Sequence, residues 1–394
     1  MTDTITAAPD AATLLARAEE LIPLLRETAA EAEQAGRIPD RVIEAFEAAG
    51  FYTAMRPVEA GGSAISFGTF VDIVRTLSRG DASAGWVGAF LISHNWLLSR
   101  LSEEVQNEIF GSGPGLAAAV AAPPGSLVAV DGGYRATGRW RFASAILHSN
   151  WAVVSAAGET GPLAVIAKVT EGEIIDTWRV PGMKATGSND FALDDVFIPA
   201  ERVVDFIAYS SRENDGAALY PSYDVLQYPM YRVLSLIHGA VAVGTAEGAL
   251  DIFPETQAKR LRPQSGARFL EEPEAHAAYG EAAQHVHIAR LLLDDAVSRT
   301  ERFYAPGTSE PSMAERAKLN LDVAASGVEA FKGVDVIIQA AGASVLREGT
   351  DFDRIARNTL VMRNHTTLDI RHAQLLAGRV LLGQSLGGHA DALY

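Results

Sequence analysis

The strongest constraint on the fold is a change of pattern along the chain, because two helical stretches enclose a segment of short β-type runs. Between residues 11 and 110 apolar side chains recur at three- and four-residue steps, as at Leu14, Ala18 and Leu21. This is the periodicity of amphipathic helices. It returns after Tyr223, where the predicted helices span residues 233–259, 273–304, 313–343 and 366–382. We therefore expect a β region between two helical regions.

The central segment, residues 115–205, has the composition of strands separated by turns. Gly132-Gly133 and Pro181-Gly182 are turn signals between runs rich in β-branched and aromatic residues. The predicted strands span residues 126–130, 134–140, 151–156, 163–168 and 191–198. We expect a small antiparallel barrel or sandwich. The predicted organisation is an α+β chain with an N-terminal helical domain (1–113), a central β domain (114–222) and a C-terminal helical bundle (223–394).

Charge and composition exclude several classes of function. The chain has 33 Lys and Arg against 49 Asp and Glu, a formal net charge of −16, and no cysteine. An acidic surface repels phosphate backbones and anionic lipid, so nucleic acid and membrane are not expected partners. Without cysteine there is no disulfide, thiolate ligand or cysteine nucleophile.

Other sequence signals are missing as well. The most apolar stretch, residues 115–130, is broken by Pro123 and Pro124 and falls short of the roughly 18 to 20 apolar residues that span a bilayer. The first ten residues do not have the pattern of a signal peptide, so we expect a cytoplasmic protein. The nine histidines show no metal-ligand spacing, and no Walker or Rossmann glycine motif occurs.

The α–β–α order and several short motifs resemble the acyl-CoA dehydrogenase superfamily along nearly the whole chain. The motifs are RGDASAGW at 79–86, PGM at 181–183, TGS at 186–188 and DDVFIP at 194–199. The resemblance implies that superfamily's fold, with N-terminal helices, a central β-barrel or sandwich and a C-terminal four-helix bundle.

Three further pieces resemble the two-component flavin monooxygenases within that superfamily. They are residues 85–96, the run GRWRFAS at 138–144, and RIAR at 354–357 followed by HTTLD at 365–369. The resemblance implies reduced FAD or FMN supplied by a separate reductase, and a homotetramer with flavin near subunit interfaces. Two departures from the pattern are Ala145, where the family commonly has Gly, and Asn358, where it often has Asp.

His365 and Asp369 are the predicted proton-handling pair. Four residues apart on the predicted helix, they share a face, so the carboxylate can orient the imidazole. A histidine held in this way is suited to proton transfer, and the resemblance to the monooxygenases supports that role. The alternative is a solvated surface pair without a chemical task.

Ser144 is the third predicted catalytic residue, since the resemblance places it beside the reactive N5/C4a edge of the flavin. The alternative is a strand-end serine that bonds its own backbone. His94, Trp96 and Trp140 are predicted to face the substrate, although a histidine or tryptophan in an apolar segment is commonly part of the core.

The predicted cofactor-binding residues lie in two groups. The first, beside the flavin ring, is Trp140, Phe142 and Ser144. The second is Arg262, in the basic run after a long helix, with Gln339 and Gly342, which resemble the superfamily's glutamine–glycine loop near a neighbouring subunit's FAD. The alternative for the basic run is a solvated loop.

The first functional hypothesis is a monooxygenase that forms a flavin C4a-hydroperoxide and hydroxylates an aromatic or polycyclic small molecule. A variant is N-oxygenation of an amine or amino sugar on the same scaffold. The second class, an acyl-CoA dehydrogenase, needs a carboxylate base, and no Glu occurs after Glu348. The third is a non-catalytic flavin-binding scaffold, which a fold alone does not exclude.

Overall fold

A computed structural model of the chain describes residues 8–159, 161–262 and 265–386. Its N-terminal part is helical. The five helices described there are α1 (Ala11–Ala35), α2 (Asp40–Ala48), α3 (Phe67–Gly80), α4 (Ala82–Leu98) and α5 (Glu103–Gly111). Asp81 begins α4 by accepting a hydrogen bond from the Ala84 backbone N–H. Gly85 allows α3 and α4 to meet closely, because a Cβ there would lie 2.1 Å from Ser78 Oγ.

The described residues of the central segment form one seven-stranded sheet in the order β5-β6-β2-β1-β3-β4-β7. The strands are β1 (Ala117–Val130), β2 (Gly133–Trp140), β3 (Trp151–Ala157), β4 (Pro162–Lys168), β5 (Glu173–Ile175), β6 (Asp190–Pro199) and β7 (Val203–Asp205). All five predicted strands are present, and β1 begins earlier than expected.

The expectation of purely antiparallel strands is corrected, because the central sheet is mixed. Strand β1 pairs antiparallel with β2 on one side and parallel with β3 on the other. The chain leaves β2, crosses the end of β1 through residues 141–150 and enters β3, so β3 runs in the direction of β1. This crossover carries Ser144 and ends in a short 3-10 turn at Ile146–His148.

The C-terminal part is again helical, with α6 (Phe206–Ser210), α7 (Asp215–Leu219), α8 (Met230–Gln257), α9 (Pro273–Phe303), α10 (Met313–Ala341), α11 (Asp351–Met362) and α12 (Ile370–Leu381). The long helices α8, α9 and α10 match the predicted spans closely, whereas α6, α7 and α11 were not predicted. The predicted helix over 366–382 begins late, because residues Thr366–Leu368 form a 3-10 turn and Asp369 caps α12.

Helix α8 lies at the centre of the larger hydrophobic core. It is the one helix among the described residues that is long and apolar enough to cross a membrane, and 78% of its most apolar window is buried inside the protein. A smaller core, which includes Trp140, Phe191 and Ile198, packs among the strands.

Candidate active site

Helix α4 presents an aromatic face to the centre of the molecule. Trp86, Phe90 and His94 are four residues apart, which places them on one side of a helix. The ring centroids of Trp86 and Phe90 are 5.6 Å apart, and those of Phe90 and His94 are 5.1 Å apart. These three rings form one wall of the candidate site.

Two histidines from distant segments meet that wall. The rings of His238, on α8, and His365 stack with centroids 3.9 Å apart at an interplanar angle of 20°. Trp86 meets both rings edge-on, with centroids 4.7 Å from His238 and 5.4 Å from His365. The site therefore joins the N-terminal and C-terminal helices through aromatic contacts.

His238 is buried without a hydrogen bond of normal geometry at either ring nitrogen. Burial lowers its pKa well below the ordinary histidine value, the adjacent His365 lowers it further, and the carbonyl groups of Ser235 and Leu234 act in the opposite direction. Buried polar groups in proteins are usually hydrogen-bonded, and one that is not calls for an explanation. A neutral imidazole at this position has a donor and an acceptor to offer to a bound molecule.

His365 is brought into the site, but its predicted relation to Asp369 is wrong. His365 precedes a 3-10 turn, and its Nδ1 lies 2.8 Å from Thr367 Oγ1 and accepts from the Thr367 N–H at 3.4 Å. Asp369 instead accepts from the backbone N–H groups of Arg371 and His372 at 3.0 and 3.1 Å. Because the segment is a turn and not a helix, the four-residue spacing does not bring the carboxylate to the imidazole.

Burial lowers the pKa of His365 to about 4, so its ring is neutral at pH 7. The contacts of Thr367 favour Nδ1 as the acceptor, which leaves the proton on Nε2. His365 can therefore donate a hydrogen bond from Nε2, and its imidazole can also exchange a proton.

His94 is fully enclosed at the other end of the aromatic wall. Its Nδ1 lies 2.6 Å from the Ala117 carbonyl oxygen, which can only accept, so Nδ1 carries the proton. Burial lowers the pKa of His94 to about 4. The neutral ring therefore keeps Nε2 as an acceptor, and β1 fixes its orientation.

Ser144 lies in the crossover between β2 and β3, in a backbone of unusual conformation. Phe142 and Ala145 on either side of it have φ values of +63° and +65°, where residues with a Cβ are rarely found. The side chain of Phe142 is 67% exposed and meets Trp178 edge-on at 6.0 Å. A glycine at position 145 would adopt this conformation more readily than Ala does.

The Ser144 hydroxyl connects the aromatic wall to a row of hydroxyl groups. The Trp86 indole N–H donates to Ser144 Oγ at 3.1 Å, and Ser144 Oγ lies 2.8 Å from Ser188 Oγ. Ser188 Oγ in turn lies 2.7 Å from Thr186 Oγ1, which donates to the Met183 carbonyl at 2.9 Å. We call these five residues the hydroxyl chain.

Helix α11 holds the far end of the hydroxyl chain. The Asn358 side-chain oxygen accepts from the Met183 N–H at 2.6 Å, and the Trp178 indole N–H donates to the Met183 carbonyl at 2.9 Å. Gly182 lies against the helix so closely that a Cβ would be 2.0 Å from the Arg357 carbonyl oxygen. Arg357 pairs with Glu33 on α1 and with Asp353. An Asn at position 358 thus retains an acceptor oxygen for this contact.

Trp96 and Trp140 belong to the core, and their predicted contacts with substrate and cofactor are corrected. Trp96 follows His94 by two residues, about 200° around the helix. It is fully buried, donates to the Val225 carbonyl at 2.9 Å and packs under Arg100. Trp140 lies in the smaller core, stacked on Phe191, and donates to the Ser155 carbonyl at 2.9 Å. Both indole N–H groups are satisfied away from the histidines.

The second predicted group, Arg262, Gln339 and Gly342, lies around the C-terminal end of α10. Arg262 and Gln339 line a surface groove of about 360 Å³ that also contains Arg260. Arg260 packs over Phe269 and donates to the Ala340 and Ala341 carbonyls at 2.9 and 2.6 Å. It also covers Gly342, where a Cβ would lie 3.0 Å from its Nη2.

With this geometry established, comparison with known proteins gives the family. The acyl-CoA dehydrogenase N-terminal domain matches residues 16–110, and the acyl-CoA dehydrogenase C-terminal domain matches residues 236–370. The flavin-dependent monooxygenase oxygenase subunit HsaA of Rhodococcus jostii (strain RHA1) is 30% identical over 369 residues, 92% of this chain and 96% of that protein. The chain belongs to the flavin-dependent monooxygenases.

A further relative and a solved structure support the assignment. The FADH(2)-dependent resorcinol hydroxylase oxygenase component of Rhizobium sp. (strain MTP-10005) is 27% identical over 94% of both chains. The crystal structure of 3-HSA hydroxylase from Rhodococcus sp. RHA1 superposes with a TM-score of 0.88 at 28% identity, covering 97% of this chain and 98% of that one. The acyl-CoA dehydrogenase-like fold expected from the sequence is confirmed.

The structure adds residues to this monooxygenase site that the sequence analysis did not identify: Trp86, Thr186, Ser188 and His238. His238 had a signal, because it is a single imidazole in the apolar run of α8. The other three residues appeared in the sequence analysis only as members of the family motifs. Their roles depend on contacts between segments that are distant in sequence, which no local pattern encodes.

Proposed function

We propose that this monooxygenase hydroxylates a small aromatic compound that carries a phenolic hydroxyl group, using reduced FAD or FMN from a separate reductase. The observation that supports the phenol is His238, whose two ring nitrogens have no hydrogen bond of normal geometry in an aromatic enclosure. A phenol supplies both a flat apolar ring and one polar group that donates and accepts. The resorcinol hydroxylase relative acts on such a compound by its name.

The residues around Ser144 fit a flavin ring. Phe142 exposes an aromatic face, and the strained backbone at Phe142 and Ala145 holds Ser144 toward the same space. Strained conformations that the surrounding structure maintains tend to occur at functional sites. The groove of Arg262 and Gln339 offers cationic and amide groups for the more polar part of a cofactor, although Glu274, which pairs with Arg262 at 3.8 Å, and Glu281 also line it. When bound, reduced flavin supplies the electrons for oxygen activation.

The protein's own groups then have distinct tasks. Trp86 and Phe90 exclude water from the reacting region. Ser144 holds the cofactor edge, His94 presents a fixed acceptor, and the stacked histidines position the phenol. His365, neutral and partly accessible, handles the proton that the phenol exchanges during hydroxylation.

We further propose a homotetramer built on the C-terminal helices. Several large apolar side chains on these helices are exposed, among them Leu291, Leu360, Leu375 and Leu381, and exposed apolar patches are typical of interfaces. Assembly through them would place the Gln339 groove near a second subunit. Light scattering at micromolar concentration tests this, and a monomer would refute it.

The function is tested by supplying reduced FMN or FAD from an unrelated reductase in air. A panel of phenols is compared with their methoxy analogues, which cannot donate a hydrogen bond. We expect hydroxylated product from phenols, close to one per reduced flavin consumed, and little from the analogues. Equal turnover of both sets would refute the phenol. Anaerobic bleaching of bound oxidised flavin by an acyl-CoA would support a dehydrogenase instead.

A further inference from the structure

The hydroxyl chain has only one possible arrangement of hydrogens. At one end is the Trp86 indole N–H, which can only donate, and at the other is the Met183 carbonyl, which can only accept. Between them stand three hydroxyl groups, those of Ser144, Ser188 and Thr186.

Starting from the carbonyl, each hydrogen is assigned in turn. Thr186 must donate to Met183, because two oxygen lone pairs do not sit 2.9 Å apart without a hydrogen between them. Ser188 must therefore donate to Thr186, and Ser144 must donate to Ser188. The Trp86 N–H donates to Ser144, so four hydrogens fill four contacts. Ser144 has no hydrogen left for the pocket.

We infer that the hydroxyl chain selects the redox state of the flavin, with Ser188 and Thr186 as positioning residues. This inference rests on the proposed function. Ser144 offers the pocket only an acceptor lone pair, so a ligand atom facing it must carry a hydrogen. The resemblance to the flavin monooxygenases places the flavin N5 atom beside Ser144, and this atom carries a hydrogen in the reduced state and is a bare acceptor in the oxidised state. Oxidised flavin would therefore set two lone pairs against each other.

The end of the chain is rigid enough to enforce this direction. The Met183 carbonyl already accepts from Trp178, and its N–H is held by Asn358 on α11. Ser188, Thr186 and Met183 are all buried, so water does not offer them alternative partners. Reversing Ser144 would require breaking a contact at a buried hydroxyl, which costs free energy.

A direct test uses the unmodified protein and measures binding. Oxidised FMN and oxidised 5-deaza-FMN, in which a C–H group replaces N5, are each titrated and the dissociation constants compared. Because the analogue has no lone pair at that position, we expect it to bind about three- to tenfold more tightly. Equal or weaker binding of the analogue would overturn the inference.

Variants then identify the positioning residues. Dissociation constants for oxidised and anaerobically reduced FMN and FAD are measured for wild type, Ser188→Ala and Thr186→Val. Either change frees the Ser144 hydrogen to turn toward the pocket, so the preference for reduced flavin should fall about three- to tenfold, mainly through tighter binding of the oxidised form. Parallel loss of both affinities, or an unchanged ratio, would refute the positioning role.

Two matched controls complete the series. Thr186→Ser keeps the hydroxyl and should retain the wild-type ratio. Ser149→Ala removes a nearby hydroxyl that bonds the Ala145 carbonyl outside the chain, and it should also leave the ratio unchanged. A wild-type protein that binds neither reduced FMN nor reduced FAD would refute the proposed function itself, which is a separate outcome from an unchanged ratio.

Discussion

The two sides of the site differ in how completely their polar groups are satisfied. On the side of the hydroxyl chain every hydrogen has an acceptor, from Trp86 to the Met183 carbonyl. On the side of the stacked histidines, neither ring nitrogen of His238 has a hydrogen bond of normal geometry. The first side holds its geometry without a ligand, whereas the second carries an unsatisfied polar group at a cost in stability.

This difference separates cofactor recognition from substrate recognition. A satisfied network is rigid and presents one fixed face, which suits a cofactor that is always the same. An unsatisfied buried ring is stabilised only when a molecule supplies its partner, which suits a substrate that comes and goes. Changes on the histidine side should therefore affect chemistry and pH dependence, and changes on the hydroxyl side should affect flavin binding and coupling.

The largest effect is expected from His365→Asn, which removes the ring that handles the proton. Hydroxylation should fall about 10²- to 10⁴-fold, the usual range for loss of a general acid or base. The measurement is product formed per reduced flavin consumed, together with the rate. His287→Asn, at an exposed histidine on α9, is the control. Wild-type rate and coupling in His365→Asn would remove the residue from the mechanism.

The histidine side should also carry a pH dependence that the hydroxyl side lacks. The folded pKa of His365 is about 4, below the unfolded value of about 6.5. Protons therefore bind the unfolded chain more readily, and stability present above pH 6.5 is lost as the pH falls toward 4. We expect His365 to contribute a loss of about 2 kcal/mol between pH 7 and pH 5.

This loss is measured by denaturant unfolding at several pH values. His365→Asn should show a shallower decline in the free energy of unfolding than wild type. Ser144→Ala should keep the wild-type slope, because it removes no titrating group. Identical slopes for all three proteins would show that the stacked histidines do not govern acid stability.

A smaller functional effect is expected from His238→Phe, which should weaken substrate binding and stabilise the free protein. The substrate loses one hydrogen-bonding partner, so KM for the phenol should rise about ten- to a hundredfold. The free protein loses an unsatisfied buried polar group, so its free energy of unfolding should rise by about 1 kcal/mol. Thermal unfolding and steady-state kinetics measure the two. Lower stability with unchanged KM would make His238 an ordinary core residue.

On the other side, Ser144→Ala should reduce product per reduced flavin about three- to tenfold. The variant loses one hydrogen bond at the cofactor edge and leaves the Trp86 N–H without an acceptor. Reduced-flavin affinity is expected to change less than coupling. Coupling equal to that of wild type would reduce Ser144 to a structural residue of the crossover.

The smallest effect on chemistry is expected at Asp369, whose carboxylate caps α12. Asp369→Ala should lower the free energy of unfolding by about 1 kcal/mol, with product formation within about twofold of wild type, an energy difference below that of a typical hydrogen bond. Asp369→Asn keeps a capping oxygen and should restore the stability. A strong coupling defect in both variants would instead revive a charge interaction with His365.

The sequence predicted the secondary-structure elements better than it predicted the contacts between them. The long helices follow from apolar periodicity, and the strands follow from composition and turns. The parallel pairing of β1 with β3 was missed, because Ala117–Val120 has weak strand propensity and its partner lies beyond the crossover. The contacts of Trp140 were predicted wrongly, because packing and not local sequence decides on which face of the sheet a tryptophan side chain lies.

The predicted His365–Asp369 pair shows the limit most clearly. A spacing of four residues implies a shared face only inside a helix, and Asp is also a preferred residue for starting one. The structure uses Asp369 in the second way. His365 instead finds His238 and Trp86, and only the three-dimensional packing of α4 and α8 brings these residues to it.

The ion pair of Arg357 with Glu33 has a consequence for how the protein folds. It joins positions 324 apart in sequence, and the adjacent Asn358 fixes the end of the hydroxyl chain. Contacts between such distant positions require closure of very long loops, which slows folding. The site should therefore mature late in refolding, after the individual helices have formed. A change in Trp86 fluorescence would report that final step.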